Sequence, residues 1–135
     1  MYCVVTFSLD FCKWVVRYRR DLEALRSLVL RSKDYAREFV RGFFDAEGHL
    51  KFYTYTRRRG SRTYTERRVK LKFVNTNRRL LEIVLECLQL LGFQRFHMEG
   101  PYMDAYRVTP KYELCTFSVK EARRFLEVVK PLKVS

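Results

Sequence analysis

Residues 40–48 read Val-Arg-Gly-Phe-Phe-Asp-Ala-Glu-Gly. They close a stretch in which Tyr35, Ala36, Phe39, Val40, Phe43 and Phe44 recur at helical spacing, predicting a helix over 34–46 that stops at Gly48. At about 100° per residue, these positions with Gly42 and Ala46 cover more than half of the helix circumference. Arg37, Glu38, Arg41 and Asp45 take the remainder, which sends Arg41 toward solvent. A helix covered on one side by a sheet needs a narrower apolar stripe, so this one is expected to bury two faces. Val40, Phe43 and Phe44 fill a core, while Gly42 and Ala46 line an edge that another backbone can approach; a central core helix in a monomer is the plainer reading of the same wheel. Asp45 and Glu47 stand in the last turn, where the helix dipole is negative and each charge costs about 0.3–1 kcal/mol. Either water solvates an acidic helix end, or the carboxylates and nearby carbonyls offer a hard cation the oxygen donors it accepts beside phosphate.

Outward from this helix, residues 50–58 and 64–74 read as two strands joined around Arg59, Gly60 and Ser61. Leu50 and Phe52 share one parity, leaving His49, Lys51, Tyr53, Tyr55 and Arg57 on the other. In the second strand Val69, Leu71 and Phe73 face the helices, and Arg68, Lys70 and Lys72 point away with Glu66. Both alternations give a basic, tyrosine-bearing ribbon of a shape that enters the major groove, where Arg and Lys read guanine edges. Arg58, Arg59 and Arg62 at the turn are expected on phosphates. Exposed strand charge that merely deters edge pairing is the plainer reading, but acids are scarce on this ribbon.

Asn75 to Asn77 open a further helix, Leu-Leu-Glu-Ile-Val-Leu-Glu-Cys-Leu-Gln-Leu-Leu, which ends at Gly92. Residues 93–98 and 106–117 follow as strands, with Gly100 and Pro101 marking the loop between them. Arg107 and Lys111 extend the basic surface. Ser118 and Glu121 form a capping box for a last helix that runs to Val129, ahead of Pro131. The order αββαββα implies an α+β fold, an antiparallel sheet with helices on one face. Upstream, Phe11, Trp14, Val15, Leu22, Leu25, Leu28 and Val29 suit one or two amphipathic helices. Residues 1–33 are therefore an N-terminal helical extension to a domain at 34–135.

Lys and Arg number 28 against 15 Asp and Glu, a net charge of +13. So much charge of one sign repels itself and calls for a polyanion, hence nucleic acid. A ribosome-like RNA binder or plain solubility charge are the alternatives. Cys3, Cys12, Cys87 and Cys115 form no C-x-x-C pair and lack histidines at zinc-finger spacing, so buried reduced thiols of an intracellular protein are expected. No apolar run reaches membrane length and the start lacks a secretory pattern. The expected location is the cytoplasm, or the organelle or nucleus that holds the target DNA.

The stretch VRGFFDAEG, with Phe39 before it, resembles the signature of LAGLIDADG homing endonucleases. The similarity continues through the basic hairpin, Phe-Val-Asn-Thr-Asn-Arg-Arg-Leu-Leu-Glu-Ile-Val, Leu-Leu-Gly-Phe, and the second hairpin and helix, covering about residues 34–133. Arg41 departs from the alanine of the namesake motif. The resemblance implies a saddle-shaped sheet and two motif helices, one per subunit or half, that pack side by side through Phe39, Gly42, Phe43 and Ala46. Carried over by position, Glu47 is the metal-binding acid and the Gly48 carbonyl a second ligand, with Mg²⁺ or another divalent cation such as Mn²⁺ as cofactor. Asp45 takes a supporting structural role. Asn75 falls where the family often has a polar residue ordering water, although a turn or cap explains it equally. Lys133 is nearest to the lysine that the family commonly uses beyond its last helix. One motif implies an intron-encoded homodimer that cuts both strands of a long, near-palindromic duplex. The same fold also serves maturases that bind intron RNA and DNA-binding regulators without cleavage; Glu47 argues against the last.

Overall fold

The computed structural model describes residues 20–103, 105–106 and 109–134. Phe11, Trp14, Val15, Cys3, Cys12 and Arg107, all singled out above, lie outside the described residues. The elements run α1 (Leu22–Val29), α2 (Lys33–Glu47), β1 (Gly48–Arg59), β2 (Arg62–Asn75), α3 (Arg78–Leu90), β3 (His97–Tyr102), β4 (Lys111–Thr116), α4 (Val119–Val129) and a 3₁₀ turn (Leu132–Val134). From α2 to α4 this is the αββαββα order. The four strands form one antiparallel sheet in the order β1-β2-β4-β3.

Polar side chains set where the helices begin. Asp21, Ser32, Asn77 and Ser118 each accept a backbone N–H of the first turn, satisfying donors that a helix start leaves without partners. The box at Ser118 closes only halfway. Ser118 Oγ accepts from Glu121 N at 3.2 Å, but the Glu121 carboxylate accepts from Gln94 N at 3.2 Å instead of returning to Ser118. That carboxylate ties the segment after α3 to the start of α4.

One face of the sheet carries Val69, Leu71, Phe73 and Leu114, all buried, and the helices cover it. Phe73 is the hub: its ring lies 6.0 Å from Phe43, 5.7 Å from Phe44, 6.3 Å from Phe96 and 6.0 Å from Phe125. Full burial of such a side chain contributes about 1.5–3 kcal/mol, and edge-on ring pairs add to it. Helix α1 joins the same core through Leu25 and Val29, and Arg26 clasps Glu86 of α3 through two bonds of 2.7 and 2.8 Å. The segment read as an extension thus contributes a core helix.

Helix α2 does bury a wide arc, but within its own chain. It packs against α1, α3, α4, β1 and β2. Phe39 and Phe43 are 0% exposed and Gly42 is buried, which corrects the expectation that these three face a second copy; only Ala46 of that set is exposed. Arg41 is corrected too. It is 7% exposed, its Nε donates to Val129 O at 2.6 Å, and its guanidinium meets Glu38 at 2.9 Å. The last carbonyls of α4 lack helical partners, and Arg41 supplies a donor to one of them.

In the second hairpin β4 is shorter than expected and β3 lies four residues further along the chain than expected, so that Gly100 and Pro101 stand inside β3 instead of a loop. Their peptide bond is cis, and pairing with β4 is irregular between Glu99 and Tyr102. Proline has no N–H to give a ladder, so an irregular edge strand is where a sheet accepts it.

Candidate active site and nucleic-acid interface

The hairpin β1–β2 closes through Gly60 and Ser61, with Arg59 opposite Arg62. Gly60 has φ 59°, the backbone sign that the first central residue of a two-residue hairpin turn demands. The register then sets the faces. His49 lies opposite Lys72, Lys51 opposite Lys70, Tyr53 opposite Arg68, Tyr55 opposite Glu66, and Arg57 opposite Tyr64. Directly paired residues share a face, so the sequence-predicted ribbon is brought together on the side away from the helices. Arg58, opposite Thr63, has the other parity, yet the hairpin tip projects past the helices and is exposed on both faces. Lys111 joins the outer face through β4.

Side-chain partners moderate the charge of this face. Glu113 of β4 is buried, and its carboxylate lies 3.2 Å from Lys70 Nζ and 3.6 Å from Lys72 Nζ. Burial pulls the Lys70 ammonium down, but the Glu113 carboxylate outweighs it and leaves the group above its ordinary range. Arg68 meets Glu66 at 3.2 Å and lies 4.3 Å from the centre of the Tyr55 ring. Sequence reasoning missed Glu113. The alternation Lys111, Glu113, Cys115 carried the signal, but Pro110 obscured the strand's register.

Where α2 runs into β1, the residues of the motif separate by role. Glu47 ends the helix as an exposed residue, its carboxyl partly desolvated, and Gly48 after it is buried. Asp45 Oδ1 accepts two backbone N–H groups, from Leu132 at 3.0 Å and Lys133 at 3.2 Å. It therefore pins the turn after α4, and this pinning delivers the Lys133 ammonium to the Gly48 carbonyl, to which it donates. Lys133 Nζ also lies 5.4 Å from the Phe44 ring centre. Partial burial raises the Glu47 carboxyl above its ordinary value, and Lys133 opposes that rise. Burial, helped by Lys133 and Lys72 and opposed by Glu113, lowers His49. Next to this corner opens a concavity of about 460 Å³ lined by His49, Lys51, Tyr53, Lys70, Lys72 and Lys133, with four lysines and no carboxylate in its wall. Such a wall attracts phosphate. Asn75, by contrast, spends its Oδ1 on the Asn77 N–H at 2.8 Å, the bond of a turn.

The donors here fit a hard cation. Glu47 offers an accessible carboxylate, and the Gly48 carbonyl, although it accepts from Lys133, has a second lone pair. The glycine itself is required for space. Its φ of −91° is ordinary, but a Cβ added to it would stand 2.6 Å from Cγ and Cε2 of Phe44. That ring cannot retreat, since it is fully buried and packs 5.2 Å from Phe125. Gly48→Ala is therefore expected to cost about 1–3 kcal/mol and to displace Glu47. A thermal melt and a cleavage assay check it; an unchanged Tm with unchanged activity would show that the corner is slack.

Among the described residues no helix is long and apolar enough to cross a membrane. A family model described as a LAGLIDADG-like domain matches residues 34–130. No curated protein matches the chain.

Proposed function

The chain belongs to the LAGLIDADG-like domain family of homing endonucleases and maturases, and from that premise we propose that it is a divalent-metal-dependent endonuclease for specific duplex DNA. The observation that carries this reading is the exposed Glu47 carboxylate beside the Gly48 carbonyl and Lys133, at the edge of a basic, acid-poor sheet face.

In this reading β1 and β2 lie along the major groove, with Lys51, Tyr53, Arg57 and their neighbours toward the bases and Arg58, Arg59 and Arg62 toward phosphates. The lysine-lined concavity seats backbone phosphate, and the scissile group comes to lie over Glu47. Glu47 and the Gly48 carbonyl hold Mg²⁺ or Mn²⁺, which when bound supplies Lewis-acid stabilisation to the phosphate oxygens. Lys133, kept in place by Asp45, adds a fixed positive charge beside the oxygens on which charge develops. Asn75 shapes the turn into α3. The protein acts wherever the target DNA lies.

One chain offers one such acid, and cutting two strands takes two. We therefore place two copies on a shared axis, meeting at the exposed end of α2 around Ala46. Ala46→Arg is expected to give monomers that keep their fold and lose double-strand cleavage; sedimentation velocity on the DNA-bound protein reads this directly. Dimers that still cut both strands would remove Ala46 from the contact. The function itself is tested by incubating a duplex library with Mg²⁺ or Mn²⁺, beside intron-containing RNA. Site-specific double-strand breaks support the endonuclease. RNA binding without any DNA scission would replace it with a maturase.

A further inference from the structure

On the outer face of the sheet, β3 and β4 bring together three side chains that the cleavage chemistry does not use. His97 and Cys115 are direct partners across the two strands, and Glu99 follows His97 by two residues on the same face. His97 Nε2 lies 3.5 Å from Cys115 Sγ and 2.7 Å from Glu99 Oε2, and the three ligand atoms fall within 4.8 Å of one another. We propose that His97, Glu99 and Cys115 form a zinc site that clips the edge strand β3 to β4, separate from Glu47 in both residues and chemistry.

The nitrogen–sulfur pair already stands at zinc spacing. Zn–N near 2.05 Å and Zn–S near 2.3 Å at a tetrahedral angle put nitrogen and sulfur about 3.6 Å apart, and the pair stands at 3.5 Å. Nitrogen and carboxylate oxygen need to open to about 3.4 Å; side chains 47% and 27% exposed have room to do so. One thiolate, one imidazole and one carboxylate select Zn²⁺ over Mg²⁺, which takes oxygen. The surroundings orient the ligands. Tyr102 OH donates to Glu99 Oε1 at 2.9 Å, and Phe117 lies against the His97 ring at 5.7 Å, as second partners of a metal site do. Lys70, which faces the cluster, is paired with Glu113, the residue opposite Glu99, so its charge is offset locally.

Binding exchanges a proton for the metal. The Cys115 thiol, pushed up to about 12 by burial and by Glu99, gives its proton to solvent as the Zn–S bond forms. Zinc would take the place of the hydrogen bond between His97 Nε2 and Glu99: the remaining ring proton would sit on Nδ1 in the bound form, freeing the Nε2 lone pair for the ion, and a water would complete the tetrahedron. Affinity consequently rises with pH. Its effect falls on β3, an edge strand whose register with β4 is broken, which a cross-strand ligand bond would hold.

Co²⁺ added to the metal-free full-length chain is the probe, because thiolate ligation gives a charge-transfer absorption. One equivalent is expected to bind with that band, to be displaced by one equivalent of Zn²⁺, and to resist excess Mg²⁺. Cys115→Ser should remove the band. His97→Gln, at an exposed position that tolerates substitution, should weaken Zn²⁺ by at least about tenfold, since loss of even an outer partner costs that much. Glu47→Gln should change none of these, which separates this site from the cleavage reading. A folded wild-type chain without the band, a band that survives Cys115→Ser, or unchanged Zn²⁺ affinity in His97→Gln would overturn the proposal.

Discussion

Glu47→Gln is expected to leave duplex binding intact and to slow cleavage by on the order of 10³-fold. The amide keeps the size of the side chain and loses the charge that holds a divalent cation. A cation's stabilisation of a phosphoryl transition state is several kcal/mol, and about 1.4 kcal/mol is a factor of ten. Stability should not fall, because the carboxylate is exposed and sits at the unfavourable end of the α2 dipole; removing its charge there is neutral or slightly stabilising. Binding in a gel-shift assay and single-turnover cleavage in Mg²⁺, run on the same preparation, separate the two effects. Cutting at the wild-type rate would mean that another group holds the metal, and loss of binding would mean that Glu47 touches DNA without serving chemistry.

Phe73→Ala is expected to destabilise the fold by about 3–5 kcal/mol, the range for emptying a buried phenylalanine site. Four aromatic rings surround Phe73, from α2, the segment before β3, and α4. They cannot close the void without leaving their own contacts, so the cost should lie toward the upper end. Domains of this size hold only about 5–15 kcal/mol in total, which makes the loss a large share. Urea unfolding should show a lower midpoint at unchanged slope. Phe52→Ala is the control: it lies on the same parity of the hairpin but is 47% exposed, and truncating it should move the midpoint little. Equal losses from both would deny Phe73 its place at the centre of the core.

Much of this was legible in the linear order of residues because it is local. Helical spacing through Phe44, the stop at Gly48, the caps Asn77 and Ser118, and the period-two alternation of β1 and β2 are set by neighbours within a few positions, and the LAGLIDADG-like αββαββα plan follows from them. The motif likewise pointed to Glu47 and Gly48 as one corner. Asp45 was assigned a supporting role, and its two bonds to the turn after α4 are of that kind.

Contacts between segments far apart in the chain were decided only by the tertiary structure. A helical wheel ranks Arg41 as polar and so exposed, but the end of α4, 88 residues on, offers it a carbonyl and buries it. The same wheel shows that α2 has two apolar faces and cannot say whose surface covers them; for Phe39, Gly42 and Phe43 it is the chain itself. Pro101 reads as a loop until β3 is seen to be an edge, where a missing N–H costs no ladder bond. His97, Glu99 and Cys115 have no zinc-finger spacing, and only the register of β3 against β4 makes them neighbours. Sequence spacing reports which face a side chain takes on its own element; what meets that face is set by the global packing of all the elements at once.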